Sequence, residues 1–468
     1  MNNSQMRTES ALASGERSNA PGSNADNSQH LAARYRGGAQ ASRLLTRLFH
    51  HYPGCLNVRL WNGTVLRVGR GDAAEDPRFT LVFRTPDTVW SAVLGRDPLA
   101  LADAYFRGDL DIEGDFFAAL SLKDHLHALK LTTAEKLQAV FTALHLRLMN
   151  SASLHTEALF APSHAPKIRA HSKAENRDAI HFHYDVSNEF YSLWLDGAMV
   201  YSCAYFETPE MDLDAAQQAK LEHICRKLSL KPGEEFLDIG CGWGALVIYA
   251  ARHYGVRARG VTLSPQQLKV ARERIAQAGL GDRVSVDLMD YRDLPADPLY
   301  DKIASVGMFE HVGLKNLPVY FSTVNRLLKP RGLFLNHGIT HEAEGWEPSV
   351  STEFINRYVF PDGQLDTISN IQRVMERAKF EIADVEALRP HYAKTLRHWV
   401  ARLEANRERA LEHVNEATYR VWRLYMTACA LQFESGEIGI YQVLANKRTL
   451  GVPDLPLTRR HLYCPESG

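Results

Sequence analysis

"LDIGCGWGA", Leu237 to Ala245, is the stretch on which the reading of this chain turns. An apolar strand ends at Asp238-Ile239, and Gly240, Gly242 and Gly244 lead into the helix-forming run "ALVIYAARHY". Glycines so placed let backbone approach a ligand closely, and the helix N-terminus behind them favours negative charge. The spacing is G-x-G-x-G, not the G-x-G-x-x-G of dinucleotide sites. Asp238 stands two residues before the first glycine, where a carboxylate can pair with the amine of an amino-acid moiety. Both details favour S-adenosylmethionine over a pyrophosphate cofactor. The competing role for Asp238 is to cap the turn that follows.

Outward from this loop the chain alternates strand and helix. "EEFLDI" is followed by "VRARGVTL", then by a helix in "SPQQLKVARERIAQ" with Ser264 as N-cap and Pro265 in its first turn. "RVSVDLMD" and "YDKIASVG" are strands, "LPVYFSTVNRLLKPRG" a helix ended by Pro330 and Gly332, and "LFLNHGI" another strand. Such alternation predicts an α/β fold, a doubly wound parallel sheet with added helices, and ligands at the carboxyl ends of its strands. The acidic residue expected about 20 positions on for a ribose is missing from "RGVTLSPQQ", which leaves Thr262 and Gln267 as polar substitutes. Asp290, Tyr291 and Arg292, at the end of another strand, suit an adenine and its amino group.

The N-terminal third differs. Residues 1–36 are polar and lack the apolar core of a signal peptide, which predicts a disordered tail. "ASRLLTRLFHH" predicts a short amphipathic helix with Leu44, Leu45, Leu48 and Phe49 on one side, and "LNVRLWNGTVLRVG" a hairpin turning at Asn62-Gly63. Residues 37–150 thus read as a small α+β domain, 151–178 as a polar linker, and 179–468 as the catalytic domain. Arg34, Arg36, Arg43, Arg47, Arg59, Arg67 and Arg70 fall between Asp26 and Asp72 with no acidic residue among them. They form either a solvated basic face or a surface drawn to anionic phospholipid.

Bulk numbers exclude other classes. A formal net charge of −1 over 468 residues argues against a chain built to coat nucleic acid. The 6 cysteines show neither CxxC pairs nor metal-ligand spacing, so no metal is expected and a reduced, cytoplasmic setting fits. No apolar run reaches the roughly 18 residues of a membrane span.

"HYDVSNEFYSLWLDGAMVYSCAYF", "LDIGCGWGA", "GVTLSPQQ", "DYRDL", "SVGMFEHVG", "FLNHGI" and "RYVFPDGQL" follow one another from about His183 to the C-terminus. In this order and spacing the chain resembles the cyclopropane-fatty-acyl-phospholipid synthases and their mycolic-acid relatives. "YFRGDLDIEGD" resembles the extra N-terminal domain of the phospholipid enzymes more loosely. The resemblance implies an S-adenosylmethionine site at Tyr201, Ser202, Asp238, Gly240, Cys241, Gly242, Trp243, Gly244, Thr262, Gln267, Tyr291 and Arg292. It implies a bicarbonate held by Cys203, Glu310, His337, Ile339 and Tyr392, and a role for Cys429 in the C-terminal helix. It also implies a homodimer working on a phospholipid membrane surface at the inner face of the membrane. Without it, Glu310 reads as a helix-capping carboxylate and His337 as a core imidazole.

The implied reaction adds a methylene across a cis alkene through a carbocation that must stay dry until a base removes its proton. Phe182, Tyr184, Phe190, Tyr191, Trp194, Tyr205 and Phe206 are the expected cation–π lining, set against ordinary core packing. His311, next to Glu310, is expected to point elsewhere. A nucleophilic thiol needs a nearby cation or helix N-terminus; the segment around Cys203 offers neither, and Cys429 lies on an apolar helix. Three alternatives stand beside cyclopropanation: a methyl- or methylene-branched product, a non-catalytic lipid-binding protein, and a base methyltransferase using Cys203.

Overall fold

The computed structural model describes residues 35–72, 74–94, 99–122, 133–150, 186–297, 299–344, 349–360, 363–451 and 454–463. The expected tail, apart from residues 35 and 36, the linker at 151–178, Arg34, Phe182 and Tyr184 lie outside them. The chain forms two compact units, Met1–Leu94 with Thr132–Thr156, and Gly95–Leu131 with Glu157–Gly468.

In the first unit the expected helix spans Gly38–Leu48, burying Ala41, Leu44 and Leu45. Strands β1 (Cys55–Arg59) and β2 (Val65–Gly69) form the expected antiparallel hairpin, with Arg59 opposite Val65. Gly63 takes φ 81° at its turn, a conformation in which a Cβ would be strained. β3 (Phe79–Phe83) pairs parallel to β1. The helices Pro86–Leu94 and Thr133–Asn150 complete the unit.

The second unit takes in Gly95–Leu131, which the sequence reading had placed in the N-terminal domain. The helix Glu416–Ser435 accounts for this grouping. Its Arg420 donates to the carbonyls of Tyr105 and Leu110 and pairs with Asp111 on β4 (Leu110–Gly114), and Arg423 lies over the Phe116 ring. The main sheet has β5 (Glu235–Ile239), β6 (Arg257–Thr262), β7 (Val284–Leu288), β8 (Tyr300–Val306), β9 (Leu328–His341), β10 (Phe380–Ala387) and β11 (Ile438–Lys447). Their order is β10-β11-β9-β8-β5-β6-β7. β6 and β7 lie to one side of β5 and β8 to the other, so strand order reverses beside β5 and opens a crevice at its carboxyl end.

Two features depart from the expected pattern. β11 runs antiparallel to both neighbours, so the sheet is mixed. The helix Leu317–Leu327 stops before Pro330, and the chain enters β9 directly at Leu328. A register shift between Tyr300 and Lys302, with Arg331 at φ 65°, absorbs the Lys-Pro-Arg-Gly segment. Apolar side chains fill both faces: Phe236, Val247, Ala250 and Val286 in one core, Leu237, Ile303, Phe321, Phe334 and Phe380 in the other. That packing makes the strand ends a firm platform.

Candidate active site

Two cavities lie at the carboxyl ends of β5, β8 and β9. The first, about 150 Å³, is bordered by Tyr201, Ser202, Asp238, Gly240, Cys241, Gly242, Trp243, Thr262, Gln267 and Tyr291. Two residues from the expected cofactor set are placed differently. Gly244, at φ 84°, caps the helix Ala245–Tyr254, and a Cβ on it would stand 3.2 Å from that of Ala271, so it serves close helix packing. Arg292 is engaged by Asp290, with Nε 2.8 Å from Oδ1 and Nη2 2.6 Å from Oδ2; Asp290, not Arg292, borders the cavity.

Asp238 is the chemical centre of this cavity. Burial pushes its carboxyl up to about 7 against the opposing pull of Lys220. Its Oδ1 is buried with no hydrogen-bond partner, so Asp238 is not spent on capping the turn. A buried acceptor of this kind fits a ligand that brings a cationic amine. The glycine cradle fits too: an added Cβ at Gly242, φ 54°, meets no atom within 4 Å, so only backbone borders the ligand there. Thr262 donates to Gln267 Oε1 at 2.7 Å, and Ser264 caps the helix Pro265–Gln277 as predicted. These residues fit S-adenosylmethionine.

One pH dependence follows. Cofactor affinity should fall as pH drops through 7, approaching roughly tenfold per unit below it, because protonated Asp238 cannot pair with an ammonium. Calorimetric titration between about pH 6 and 8.5 checks this, and Asp238→Asn should flatten that part of the profile.

The second cavity, about 120 Å³, gathers all six expected catalytic residues: Cys203, Glu310, His337, Ile339, Tyr392 and Cys429. Glu310 Oε1 accepts from the Ile339 N–H at 2.7 Å, while Oε2 is buried without a partner. Burial raises the Glu310 carboxyl above its ordinary range, opposed by the nearby His311. The amide nitrogen of Gln442 stands 3.2 Å from His337 Nδ1. Donation there leaves the ring proton on Nε2, which is buried and unpartnered. Burial, with Lys220 and Lys227 adding to it, pushes His337 well below its usual range, so the ring is neutral. A buried acceptor and a buried donor thus border one cavity, an arrangement that fits a small hydrogen-bonding anion such as bicarbonate. The Ile339 N–H, expected to donate to that anion, is instead taken by Glu310.

The thiols are protonated. Burial raises Cys203 far above its normal value and Cys429 to about 12. The fold does bring a cation near Cys203, Lys220 from the helix Leu213–Lys227, but desolvation outweighs it. Cys203 donates weakly to the carbonyls of Ala204 and Leu388 at 3.3 and 3.8 Å.

Two expectations about neighbouring side chains change. His311 borders both cavities: it lies with Glu310 on the short turn Phe309–His311, and does not point away from the site as the sequence argument assumed. Of the described aromatics proposed as a lining, none borders either cavity. Phe190, Tyr191 and Trp194 pack with Tyr201, Trp243, Trp399 and Trp422 in a buried cluster at centroid distances of 5.2–6.3 Å. Tyr205 stacks between His223 and His391. The actual lining comes from Tyr201 and Phe360 in loops and from Tyr392, Tyr425 and Phe433 on two later helices.

The loop carrying Tyr201, Ser202 and Cys203 is pinned by the turn before it. Asp196 accepts from Ala198 and Val200, Arg274 donates to the carbonyls of Gly197 and Ala198, and Met199 takes φ 54°. Tyr201, Ser202, Gly307 and His311 border both cavities, so the two sites meet there.

Comparison with known proteins gives the family of the chain. The model of the mycolic acid cyclopropane synthetase family matches residues 171–443. The chain belongs to that family. A probable fatty acid methyltransferase of Pseudomonas putida is 41% identical, over 88% of this chain and 97% of the relative. The cyclopropane-fatty-acyl-phospholipid synthase of Escherichia coli strain K12 is 42% identical over 57% of this chain and 66% of its own length. A crystal structure of mycolic acid cyclopropane synthase CmaA1 complexed with SAH and CTAB superposes with TM-score 0.55, at 35% identity, covering 58% of this chain and 98% of that one. This member of the mycolic acid cyclopropane synthetase family has the S-adenosylmethionine-dependent methyltransferase fold.

Proposed function

We propose that the protein is a cyclopropane-fatty-acyl-phospholipid synthase, adding a methylene to the cis double bond of an unsaturated phospholipid acyl chain. The observation that carries this reading is the meeting of the two cavities at Tyr201, Ser202, Gly307 and His311, one fitted to the methyl donor and the other largely apolar. S-adenosylmethionine supplies an electrophilic sulfonium methyl when bound. Asp238 and the glycine loop hold its amino-acid end, and the shared residues separate it from the acyl chain.

The second cavity suits the cation that methyl addition leaves on the chain. Tyr201, Tyr392, Tyr425 and Phe433 place aromatic rings along its wall, and burial keeps water away. Glu310 adds a nearby negative charge. Bicarbonate would be held by His337 Nε2 and Tyr392 as donors and Glu310 Oε2 as acceptor, and would supply the base. Cys203 contributes small size, not a nucleophile. Cys203→Ser should therefore retain at least roughly a third of activity, whereas Cys203→Phe should cost about 1–3 kcal/mol of stability by overpacking a fully buried position. Turnover assays with urea melts check both, and loss of all activity in the serine variant would favour the nucleophile reading.

A peripheral membrane setting is part of this proposal. Among the described residues no helix is long and apolar enough to cross a membrane. In the first unit Arg36, Arg43 and Arg47 are exposed, as are Leu137, Phe141, Leu144 and Leu148 along one side of the helix Thr133–Asn150. Basic and apolar exposure together favour an anionic lipid surface. Arg67 and Arg70 are partly occupied by the carbonyls of Asp72 and His50, which favours the plainer structural role for those two.

The test is to incubate purified protein with labelled S-adenosylmethionine and unsaturated phospholipid vesicles, then identify the fatty acids by mass spectrometry before and after hydrogenation. Labelled chains with no reducible double bond support cyclopropanation. Labelled chains that retain a double bond would establish the branched-product alternative, which the Pseudomonas relative's name favours. Unmodified chains with cofactor bound would leave lipid binding alone.

A further inference from the structure

The loop between the cavities is held from behind by one face of the helix Leu213–Lys227. Gln217 and Lys220, three residues apart on that helix, are 0% and 2% exposed. Gln217 donates to the carbonyls of Val200 and Ser202 at 3.2 and 2.9 Å. Lys220 Nζ donates to Ser202 Oγ at 2.9 Å. Lys220 also borders the first cavity, the one lysine or arginine to do so among the described residues.

A buried ammonium is costly without a counter-charge. The negative groups around Lys220 are Asp196 and Asp238, and its pKa is held down to about 8 by burial. Asp196 already accepts from two backbone N–H groups. Asp238 is the partner expected for the cofactor's ammonium, so binding that ammonium draws charge away from Lys220. An α-amino acid brings its own remedy, because its carboxylate arrives with its ammonium. Ser202 matters here for its proton. With its oxygen accepting from Lys220, the hydroxyl is free to donate toward the cavity that it borders.

We propose that Lys220 and Ser202 together read the carboxylate of the cofactor's amino-acid end, as Asp238 reads its ammonium. The inference rests on the S-adenosylmethionine assignment and adds the partner for the ligand's second charge. Recognition of the zwitterion then comes from two sides, β5 and the helix Leu213–Lys227.

Calorimetric titration with S-adenosylmethionine and with its decarboxylated analogue tests this. The wild-type protein should bind the complete cofactor roughly 10- to 100-fold more tightly than the analogue, the range of a charge-assisted hydrogen bond. Lys220→Met should lose that discrimination, weakening the complete cofactor by the same factor and the analogue by no more than about twofold. Ser202→Ala, the milder substitution, should lose much of it too, and the double variant little more than Lys220→Met. Equal weakening of both ligands in Lys220→Met would overturn the inference, marking Lys220 as a support for the loop only. So would a wild-type protein that binds both equally. Binding of neither ligand by the wild-type protein would overturn the cofactor assignment itself.

Discussion

Glu310→Gln is expected to lose roughly 10²- to 10⁴-fold in turnover while keeping its affinity for S-adenosylmethionine within about twofold. Glutamine preserves volume, and its amide oxygen can still accept from the Ile339 N–H that now bonds Oε1 at 2.7 Å. What changes is the other end. The buried, unpartnered Oε2 becomes an NH₂ group, so an acceptor facing the second cavity turns into a donor and the local negative charge is lost. On the proposed reading, a base that relies on that acceptor loses its orientation, and a cation in the second cavity loses a bordering carboxylate. The first cavity does not include Glu310, so cofactor binding serves as an internal control. Single-turnover assays beside calorimetry separate the two effects. Turnover near the wild-type level would remove Glu310 from the chemistry and return it to a structural role.

The second large effect is expected at a position with no reactive group. A Cβ added to Gly338 in β9 would lie 1.8 Å from Phe309 Cε1, 2.3 Å from Cδ1 and 3.0 Å from Glu310 Oε1. Phe309 is 2% exposed and sits in the core beneath the site, so its ring has little room to turn away. Gly338→Ala should therefore cost about 1–3 kcal/mol in stability. It should also displace Glu310 and lower turnover by roughly 10- to 100-fold, since shifts near 1 Å are costly for positioned groups. Gly281→Ala, where an added Cβ meets nothing within 4 Å, is the control and should stay within about 0.5 kcal/mol of wild type. Urea melts and turnover on the two variants decide it. Equal behaviour would mean that the 309–310 turn yields easily and that the site tolerates its movement.

Local pattern made the cofactor half legible. The strand, the glycines and Asp238 are set by neighbours within a few residues, and the helix opening at Ser264-Pro265 carries its own cap signal. The acid-base half could be reached only through resemblance, because Glu310 and His337 are joined by strand pairing and not by spacing. His311 was missed because the cavities it borders are walled by segments far apart in sequence, which no local spacing announces. Gln217 and Lys220 were missed for a different reason. Nothing in the polar run "LDAAQQAKLEHICRK" announces burial, yet both residues are buried against the loop carrying Ser202. The aromatic lining failed likewise: crowding in sequence marked a structural cluster, and the rings at the site come from segments far apart.

The place of β11 in the sheet sets an order of assembly. It is synthesised after β9 and β10 yet lies between them, and through it Gln442 comes opposite His337. Until Ile438–Lys447 leaves the ribosome, β10 lacks its sheet neighbour and the His337 imidazole lacks the amide that fixes its proton. The glycine loop, β6 and β8 are by then complete. A nascent chain is thus equipped to hold its methyl donor before it is equipped to spend it. Catalytic competence arrives with the last, most non-local pairing of the sheet.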